Sequence, residues 1–225
     1  MALITSASNP RLKLVRKLAA ARQRDKLGLF VAEGEDLVDA ALEAGLEPVE
    51  LLIAGMSIEP ELLAGVSTLP HPARVIGVFR RDELPAFQPR PVALALVGVA
   101  DPGNVGTLIR TADAFGASVE LADGCADPTG PKALRASAGA LFRVPLGKAE
   151  GRRIGLVAHG GAPLRELELE DGAVFVLGAE RSGLSPEVQR TCDETATIET
   201  SGSAESLNVA AAGAIALYEW SRRRG

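Results

Sequence analysis

The chain reads as an α/β protein in two parts: a small N-terminal α/β unit, then a mostly parallel sheet with helices on both faces. Three observations predict this. From Val92 onward, short apolar runs alternate with helical patterns, as a parallel sheet with crossover helices requires. Before that point, Leu84-Pro85 to Arg90-Pro91 carries three prolines and reads as a linker, dividing the chain into residues 1–85, a linker at 86–91 and residues 92–225. Within the second part, three clusters rich in glycine and asparagine sit where a strand or loop hands over to a turn or helix. That is where α/β proteins keep their ligands.

The first part begins with Asn9, a helix cap, and Pro10 at the first helical position. Leu12, Val15, Leu18 and Ala19 then recur at helical spacing until Gly28 ends the helix. That stripe faces inward, so the arginines and lysines are expected to project outward. Phe30 to Ala32 reads as a strand, Glu35 to Ala44 as a helix closed by Gly45, Val49 to Ala54 as a strand and Val75 to Phe79 as the last of a βαβ-like run. In the second part, strands are expected at Val92 to Val99, Ser118 to Ala122, Ile154 to Ala158, Val174 to Leu177 and Thr195 to Ile198. Helices are expected at Val105 to Phe115, Pro131 to Ala138, Pro186 to Thr191 and Glu205 to Trp220.

A chain of 225 residues with 47% hydrophobic content can bury a sizeable core. The longest apolar stretch, Val92 to Ala100, is far short of the ~20 residues that span a bilayer, and the N-terminus lacks a signal-peptide pattern, so a cytoplasmic protein without membrane partners is expected. Cys125 and Cys192 are solitary, and His71 and His159 sit in loops. These four predict no disulfide, no metal site and no histidine-based triad. The net charge of -5 argues against nucleic acid only if read globally. Between Arg11 and Lys26 stand seven basic residues and one acid, Asp25, and screening makes local charge decisive. On charge alone this is either a solvated amphipathic helix or a phosphate-contacting face.

The three clusters are Asn104-Val105-Gly106 with Arg110, Gly178-Ala179-Glu180 with Gly183-Leu184-Ser185, and Ser206-Leu207-Asn208-Val209. In the first, Val105, Leu108, Ile109, Ala112 and Phe115 share one helix face, and Gly106 and Arg110 fall on the other. An outward arginine is usually only solvated, but Gly103 and Gly106 admit a close backbone and Asn104 adds an amide that donates and accepts. In the second, Gly178 opens a turn in which a ligand could meet bare backbone, and Glu180 is the turn's only acid, by default a surface or capping carboxylate. In the third, Ser206, Leu207 and Asn208 open the last helix. Ser206 suits a cap, which leaves Asn208 in the first turn unexplained. Ala210 to Ala214 is all alanine and glycine, which fits either a tight cofactor pocket or a subunit contact.

These clusters resemble motifs 1, 2 and 3 of the SpoU/TrmH branch of the SPOUT methyltransferases. The resemblance extends through Asp127-Pro128 to Lys132, Arg135-Ala136-Ser137, Gly139-Ala140 and Phe142-Arg143-Val144-Pro145. It also includes Asn9-Pro10 and Phe30-Val31-Ala32-Glu33-Gly34, which are similar to the family's small N-terminal RNA-binding domain, so nearly the whole chain is covered. It implies a C-terminal trefoil knot, a homodimer, and S-adenosylmethionine-dependent methylation of a ribose 2'-hydroxyl in ribosomal RNA, 23S-type preferred, or transfer RNA. By the same resemblance Arg110 is the catalytic arginine. Its guanidinium keeps its proton, so it would grip an RNA phosphate and stabilise the developing alkoxide. Glu180 orders the site by bonding Asn104 or backbone amides, and Ser206 and Asn208 complete the catalytic set. Leu177, Gly178, Ile198 and Leu207 line the cofactor pocket, and Arg11, Lys13, Arg16, Lys17 and Arg135 contact RNA. The chain departs from the family at Glu199-Thr200, where a proline is usual after Ile198, and in lacking the serine usual after Val209. The added charge at Glu199 would favour a cationic sulfonium. Two other classes stay open: a non-catalytic RNA-binding protein on the same scaffold, and a nucleotide-dependent oxidoreductase suggested by the strand running into Gly103-Asn104-Val105-Gly106.

Overall fold

A computed structural model describes residues 3–202 and 205–224. The N-terminal unit starts with α1 (Pro10–Leu18), capped by Asn9, whose Oδ1 accepts the Arg11 amide at 2.9 Å. The single helix expected up to Gly28 is in fact two. Ala20 is extended, and α2 (Ala21–Leu27) follows, closed by Gly28 in the left-handed conformation. The reason is Arg24. It does not project outward with the other cations but is 4% exposed, and its Nη1 donates to the carbonyls of Leu18 and Ala19, each at 2.9 Å. Carbonyls left open at the end of α1 are thus closed by a side chain from the next helix.

Next come β1 (Leu29–Glu33), α3 (Glu35–Glu43), β2 (Glu50–Ile53), the short α4 (Pro60–Ala64), which the sequence patterns did not reveal, and β3 (Val75–Arg80). Both β1 and β2 pair antiparallel with β3, giving the order β1-β3-β2. The run is therefore a split βαβ with the third strand inserted between the other two, rather than contiguous parallel strands.

The second part contains β4 (Val92–Leu96), α5 (Pro102–Phe115), β5 (Ser118–Leu121), α6 (Pro131–Ser137), β6 (Arg152–Leu156), the two-residue β7 (Ala162–Pro163), β8 (Ala173–Leu177), α7 (Pro186–Gln189), β9 (Glu194–Thr197) and α8 (Val209–Arg222). The sheet runs β5-β4-β8-β6-β9-β7, every pairing parallel. Its faces are covered unequally. Leu94, Leu96, Phe175 and Leu177 belong to the large core shared with α5, α6 and α8. The opposite face shows Ala93, Ala95, Val174 and Val176, packed against Ala149, Leu184 and, on α7, Val188.

Two glycines set the helix packing. A Cβ on Gly106 would lie 2.3 Å from the Ala133 carbonyl, so α5 and α6 touch backbone to side. Gly106 is therefore buried under α6 instead of sharing a solvent face with Arg110. A Cβ on Gly213 would lie 2.4 Å from Leu108 Cδ2, with Leu177 next to it. The small-residue run in α8 thus serves, at Gly213, to pack this helix on α5 and β8 within the chain.

The two parts are joined across a continuous core. Phe30 stacks between Phe79 (5.9 Å between centroids) and Phe142 of the second part (6.0 Å). Beside it, Arg24 meets Asp127 at 2.8 and 2.7 Å, and Arg81 donates to Asp127, to Thr129 and to Asp25. Burial raises the Asp127 carboxyl, but the Thr129 hydroxyl and amide together with Arg24 and Arg81 outweigh it and hold the group below its ordinary value.

Candidate active site

Parallel strands aim their carboxyl ends at one edge of the sheet, and the three clusters converge on it. After β4 the chain turns through Gly98 to Asp101, which caps α5. Asp101 Oδ1 accepts the Gly103 and Asn104 amides at 2.7 and 3.1 Å, and its Oδ2 pairs with Lys132 Nζ at 2.8 Å. The hydrogen bond from Lys132, with those amides, holds the Asp101 carboxyl below its usual range. Asp101 was missed in the motif reading, although Asp before Pro-Gly is a helix-start signal. Its carboxylate also occupies the helix-end amides that a dinucleotide pyrophosphate would need, which removes the main support for an oxidoreductase.

After β8 the chain enters the turn bearing Glu180. Its Oε1 accepts the Asn104 Nδ2 at 3.1 Å and the Asp101 amide at 3.0 Å, and its Oε2 accepts the Ala100 amide at 3.3 Å. Burial pushes this carboxyl up, but the bonds from Asn104 and the backbone amides win, and its pKa lies below the ordinary value. Ionised and fully engaged, Glu180 orients its neighbours and is a poor proton acceptor. From the third cluster, Asn208 Nδ2 donates to Asn104 Oδ1 at 3.2 Å. One chain of hydrogen bonds, Glu180 to Asn104 to Asn208, therefore ties all three turns together.

Asn208 is itself the cap of α8, accepting the Ala210 and Ala211 amides at 2.9 and 3.3 Å. The helix thus starts at Val209, and Ser206 is not its cap. Ser206 is exposed and has no hydrogen bond among the described residues. Arg110 is also exposed on α5, with no ion pair or hydrogen bond among them. It stands six residues beyond Asn104, about 9 Å along the axis, and helical side chains lean back toward the N-terminus.

Among the expected cofactor residues, Leu177 is buried, and its carbonyl already accepts the Val97 amide at 2.8 Å. Gly178 is buried as well, and a Cβ there would lie 2.2 Å from the Gly183 backbone. The glycine thus makes room for its own loop rather than leaving bare backbone open. Ile198, just past β9, and Leu207, just before α8, are half-buried. An open crevice of about 370 Å³ at this edge is lined by Gly98, Ala100, Asp101, Ala179, Glu180 and Arg181, outside all four cofactor candidates. Arg181, exposed beside Glu180, was not singled out from the sequence. Glu199 pairs with Arg165 at 3.0 Å, so its extra charge is locally balanced. Burial raises the Cys125 thiol, which does not favour a thiolate nucleophile.

On α1, Lys13, Arg16 and Lys17 share one exposed face, with Arg16 also donating to the Ala7 carbonyl at 3.1 Å. Arg11 leaves that set, as it is ion-paired with Glu50 at 2.6 Å. Arg135 on α6 reaches the N-terminal unit, donating to Thr68 Oγ1 at 3.3 Å.

A parallel α/β sheet with such an asparagine–glutamate cluster at its carboxyl edge, an exposed arginine on the same helix as Asn104 with no ion pair among the described residues, and an accessory unit presenting a cationic helix face is the arrangement of an RNA methyltransferase. Residues 91–218 match the SpoU rRNA Methylase family, and residues 9–81 match the MRM3-like substrate binding domain; the chain belongs to the SpoU rRNA methylase family. It is 32% identical, over 97% of its length and 98% of the relative's, to the 23S rRNA (guanosine(2553)-2'-O)-methyltransferase RlmP of Bacillus subtilis. Among solved structures it resembles the AdoMet-bound rRNA methyltransferase from Sinorhizobium meliloti, with TM-score 0.87, 28% identity and 99% and 98% of the two chains covered. It also resembles the SpoU methyltransferase AviRb from Streptomyces viridochromogenes in complex with AdoMet, with TM-score 0.84, 27% identity and 96% and 98% covered.

Proposed function

We infer that the protein transfers the methyl group of S-adenosylmethionine to a ribose 2'-hydroxyl of ribosomal RNA, of 23S type, in the cytoplasm. The observation that carries the reading is the Glu180–Asn104–Asn208 hydrogen-bond chain, because it builds one site from three distant motifs. The cofactor fits the donor set at this edge. Ile198 and Leu207 offer half-buried apolar surface, Gly178 lets the Gly183–Leu184 loop fold close against the strand end, and ionised Glu180 sets a negative charge near a sulfonium. Leu177 would take part only through what its backbone leaves free. S-adenosylmethionine supplies an electrophilic methyl group.

The chain's own residues supply position and charge. Arg110, permanently protonated, grips the phosphate beside the target ribose and stabilises negative charge on the 2'-oxygen as its proton leaves to a phosphate oxygen or water. Asn104, fixed by Glu180 and Asn208, orients the sugar. Ser206 reaches the substrate only once RNA is bound. Lys13, Arg16, Lys17 and Arg135 contact RNA from the N-terminal side, recognising shape and exposed loops. Residues 1–85 act as the substrate-binding domain and 92–225 as the methyltransferase domain, with the C-terminal segment knotted. We further propose a homodimer. Tyr218, 56% exposed, stands with half-buried Ile215 and exposed Ala211 on the outer side of α8, the helix packed on α5, which bears Arg110.

Tritium transfer from labelled S-adenosylmethionine to total RNA, followed by mapping of ribose methylation in RNA from cells with and without the gene, tests the reaction. Arg110→Ala is expected to lower turnover at least about 100-fold with cofactor binding unchanged in calorimetry. Full activity in that variant, or labelled RNA whose methyl resides on a base, refutes the reading. Cofactor binding without any transfer would favour a non-catalytic RNA-binding protein.

A further inference from the structure

The methyl-transfer site occupies the carboxyl edge of the sheet. A second cavity, of about 420 Å³, lies at the amino ends of the strands, roughly 16 Å away if measured along a five-residue strand. Its floor is formed by Ser118 of β5, Ala93 of β4 and Val174 of β8, which are direct partners in register and so point to the same face. Within this apolar floor Ser118 is the exception. It is 1% exposed, and its hydroxyl has no hydrogen-bond partner among the described residues. A hydroxyl on a cavity floor with no partner of its own is free to donate to a ligand.

The walls add charge to an apolar lining. Arg90 comes from the proline-rich connector and Lys148 from the segment before β6, and neither has an ion-pair partner among the described residues. Glu150 is the one carboxylate on the lining, so two cations against one anion leave a charge of +1. Phe87 completes the wall. Its ring is seated on Gly147, where a Cβ would lie 2.6 Å from Phe87 Cγ. The connector is also tied down where the Gly172 amide donates to the Pro91 carbonyl at 2.7 Å. The cavity is therefore held by packing and backbone bonds, and its volume falls in the range of small-ligand sites, about 300–1,000 Å³.

We propose that this cavity binds a nucleotide unit, with the phosphate on Arg90, Lys148 and the Ser118 hydroxyl and the base against Phe87. A guanidinium, an ammonium and a hydroxyl donor together suit a phosphate's several acceptor oxygens, and an aromatic ring beside cations is the pairing that holds single unstacked nucleotides. Both a free mononucleotide and an unpaired nucleotide within an RNA chain carry this chemistry. None of the three polar residues belongs to the methyl-transfer cluster, so the proposal stands or falls separately from the activity.

Titration calorimetry of the whole chain with AMP, and in a second arm with a short single-stranded oligoribonucleotide, tests it. Arg90→Ala combined with Lys148→Ala is expected to weaken binding at least about tenfold, since hydrogen bonds to charged groups are worth about 1.5–3 kcal/mol. Ser118→Ala is expected to weaken it about threefold. Asn104→Ala and saturating S-adenosylmethionine leave AMP binding unchanged. A response in the AMP arm identifies a free-nucleotide site, and a response confined to the oligoribonucleotide arm identifies a nucleotide of RNA. If neither arm responds to the double substitution, or if S-adenosylmethionine displaces AMP, the proposal is overturned. Both cations are surface residues, so the double variant is expected to fold, which its unchanged melting curve verifies.

Discussion

Replacing Asp127 by alanine is expected to loosen the junction between the two parts of the chain by a predictable amount. The Asp127 side chain is 19% exposed and that of its partner Arg24 is 5% exposed. Breaking a buried pair by removing one partner costs about 3–5 kcal/mol, because the other charge is left unpaired in a low dielectric. The low end applies here. Arg24 keeps its bonds to the Leu18 and Ala19 carbonyls, and Arg81 keeps Thr129 and Asp25. With a urea m-value of about 3 kcal/mol/M for a chain of this size, a loss of about 3 kcal/mol moves the midpoint down by about 1 M. The assay is urea unfolding followed both by Trp220 fluorescence and by far-ultraviolet circular dichroism. Because Phe30, Phe79 and Phe142 share one core, the two probes should give one coincident transition. Arg24→Ala in the same background should then cost less than it does alone, a non-additivity of at least about 1 kcal/mol. The pH dependence has a fixed sign. The folded pKa of Asp127 lies below its ordinary value of 3.8, so its contribution is present above about pH 4 and is lost as pH falls through the folded value. The gap between wild type and Asp127→Ala should close in that acid range. A midpoint shift under about 0.3 M, or additive single substitutions, would refute the reasoning.

Two further outcomes follow from the site and from the outer side of α8. Glu180→Gln replaces two acceptor oxygens by one acceptor and one donor facing three N–H groups. Methyl transfer should fall at least about tenfold, and stopped assays between pH 5 and 8 should show no titration of this carboxyl in the wild type, since its pKa is lowered from 4.5; an inflection abolished by the substitution would contradict that placement. Tyr218→Glu should convert a dimer into a monomer in light scattering after size exclusion, and an unchanged mass would remove α8 from the interface.

What could be read from the sequence, and what could not, divides by the range of the interaction. Caps and turn glycines are local: Asn9 with Pro10 starts a helix as expected, and Gly28 ends one in the left-handed conformation, although the helix it ends is a second one beginning at Ala21. The alternation of apolar strands with helices likewise encodes the parallel sheet, because a strand buried on both faces must be apolar throughout. Arg24 fails this logic. It sits in a run of cations and looks solvated, yet its partner Asp127 lies 103 residues on, and no window along the sequence contains both. The antiparallel order of the small sheet is hidden for the same reason, since β3 inserts between two strands that precede it. Gly106, Gly178 and Gly213 were each legible as permitting close approach, but what approaches them is the chain's own backbone or core. The motifs brought Asn104, Glu180 and Asn208 forward together. Asp101, which holds the start of α5 beside them, carried only a capping signal.

The short helix α6 connects these observations. On one side, Lys132 pairs with Asp101, the residue that caps α5 immediately before Asn104, and the Ala133 carbonyl lies against Gly106 so closely that no side chain could intervene. On the other side, Arg135 reaches Thr68, whose hydroxyl and amide both donate, at 2.8 Å, to the buried carboxylate of Glu33 on β1. The loop entering α6 carries Asp127, which takes Arg24 and Arg81 from the N-terminal unit. One seven-residue helix is therefore anchored both to the unit with the exposed cationic face and to the helix bearing Asn104 and Arg110. Packed groups of this kind do not deform continuously, and misplacing reacting groups by about 1 Å can cost about 100-fold in rate. Loosening α6 at Asp127 should consequently lower turnover on RNA even though none of its residues need touch the methyl group. Under the proposed function the cofactor sits at other elements, at the ends of β8 and β9 and the start of α8, and its binding should be spared. A variant that lost cofactor affinity in proportion to turnover would show instead that the junction supports the whole fold and does not act by orienting the substrate.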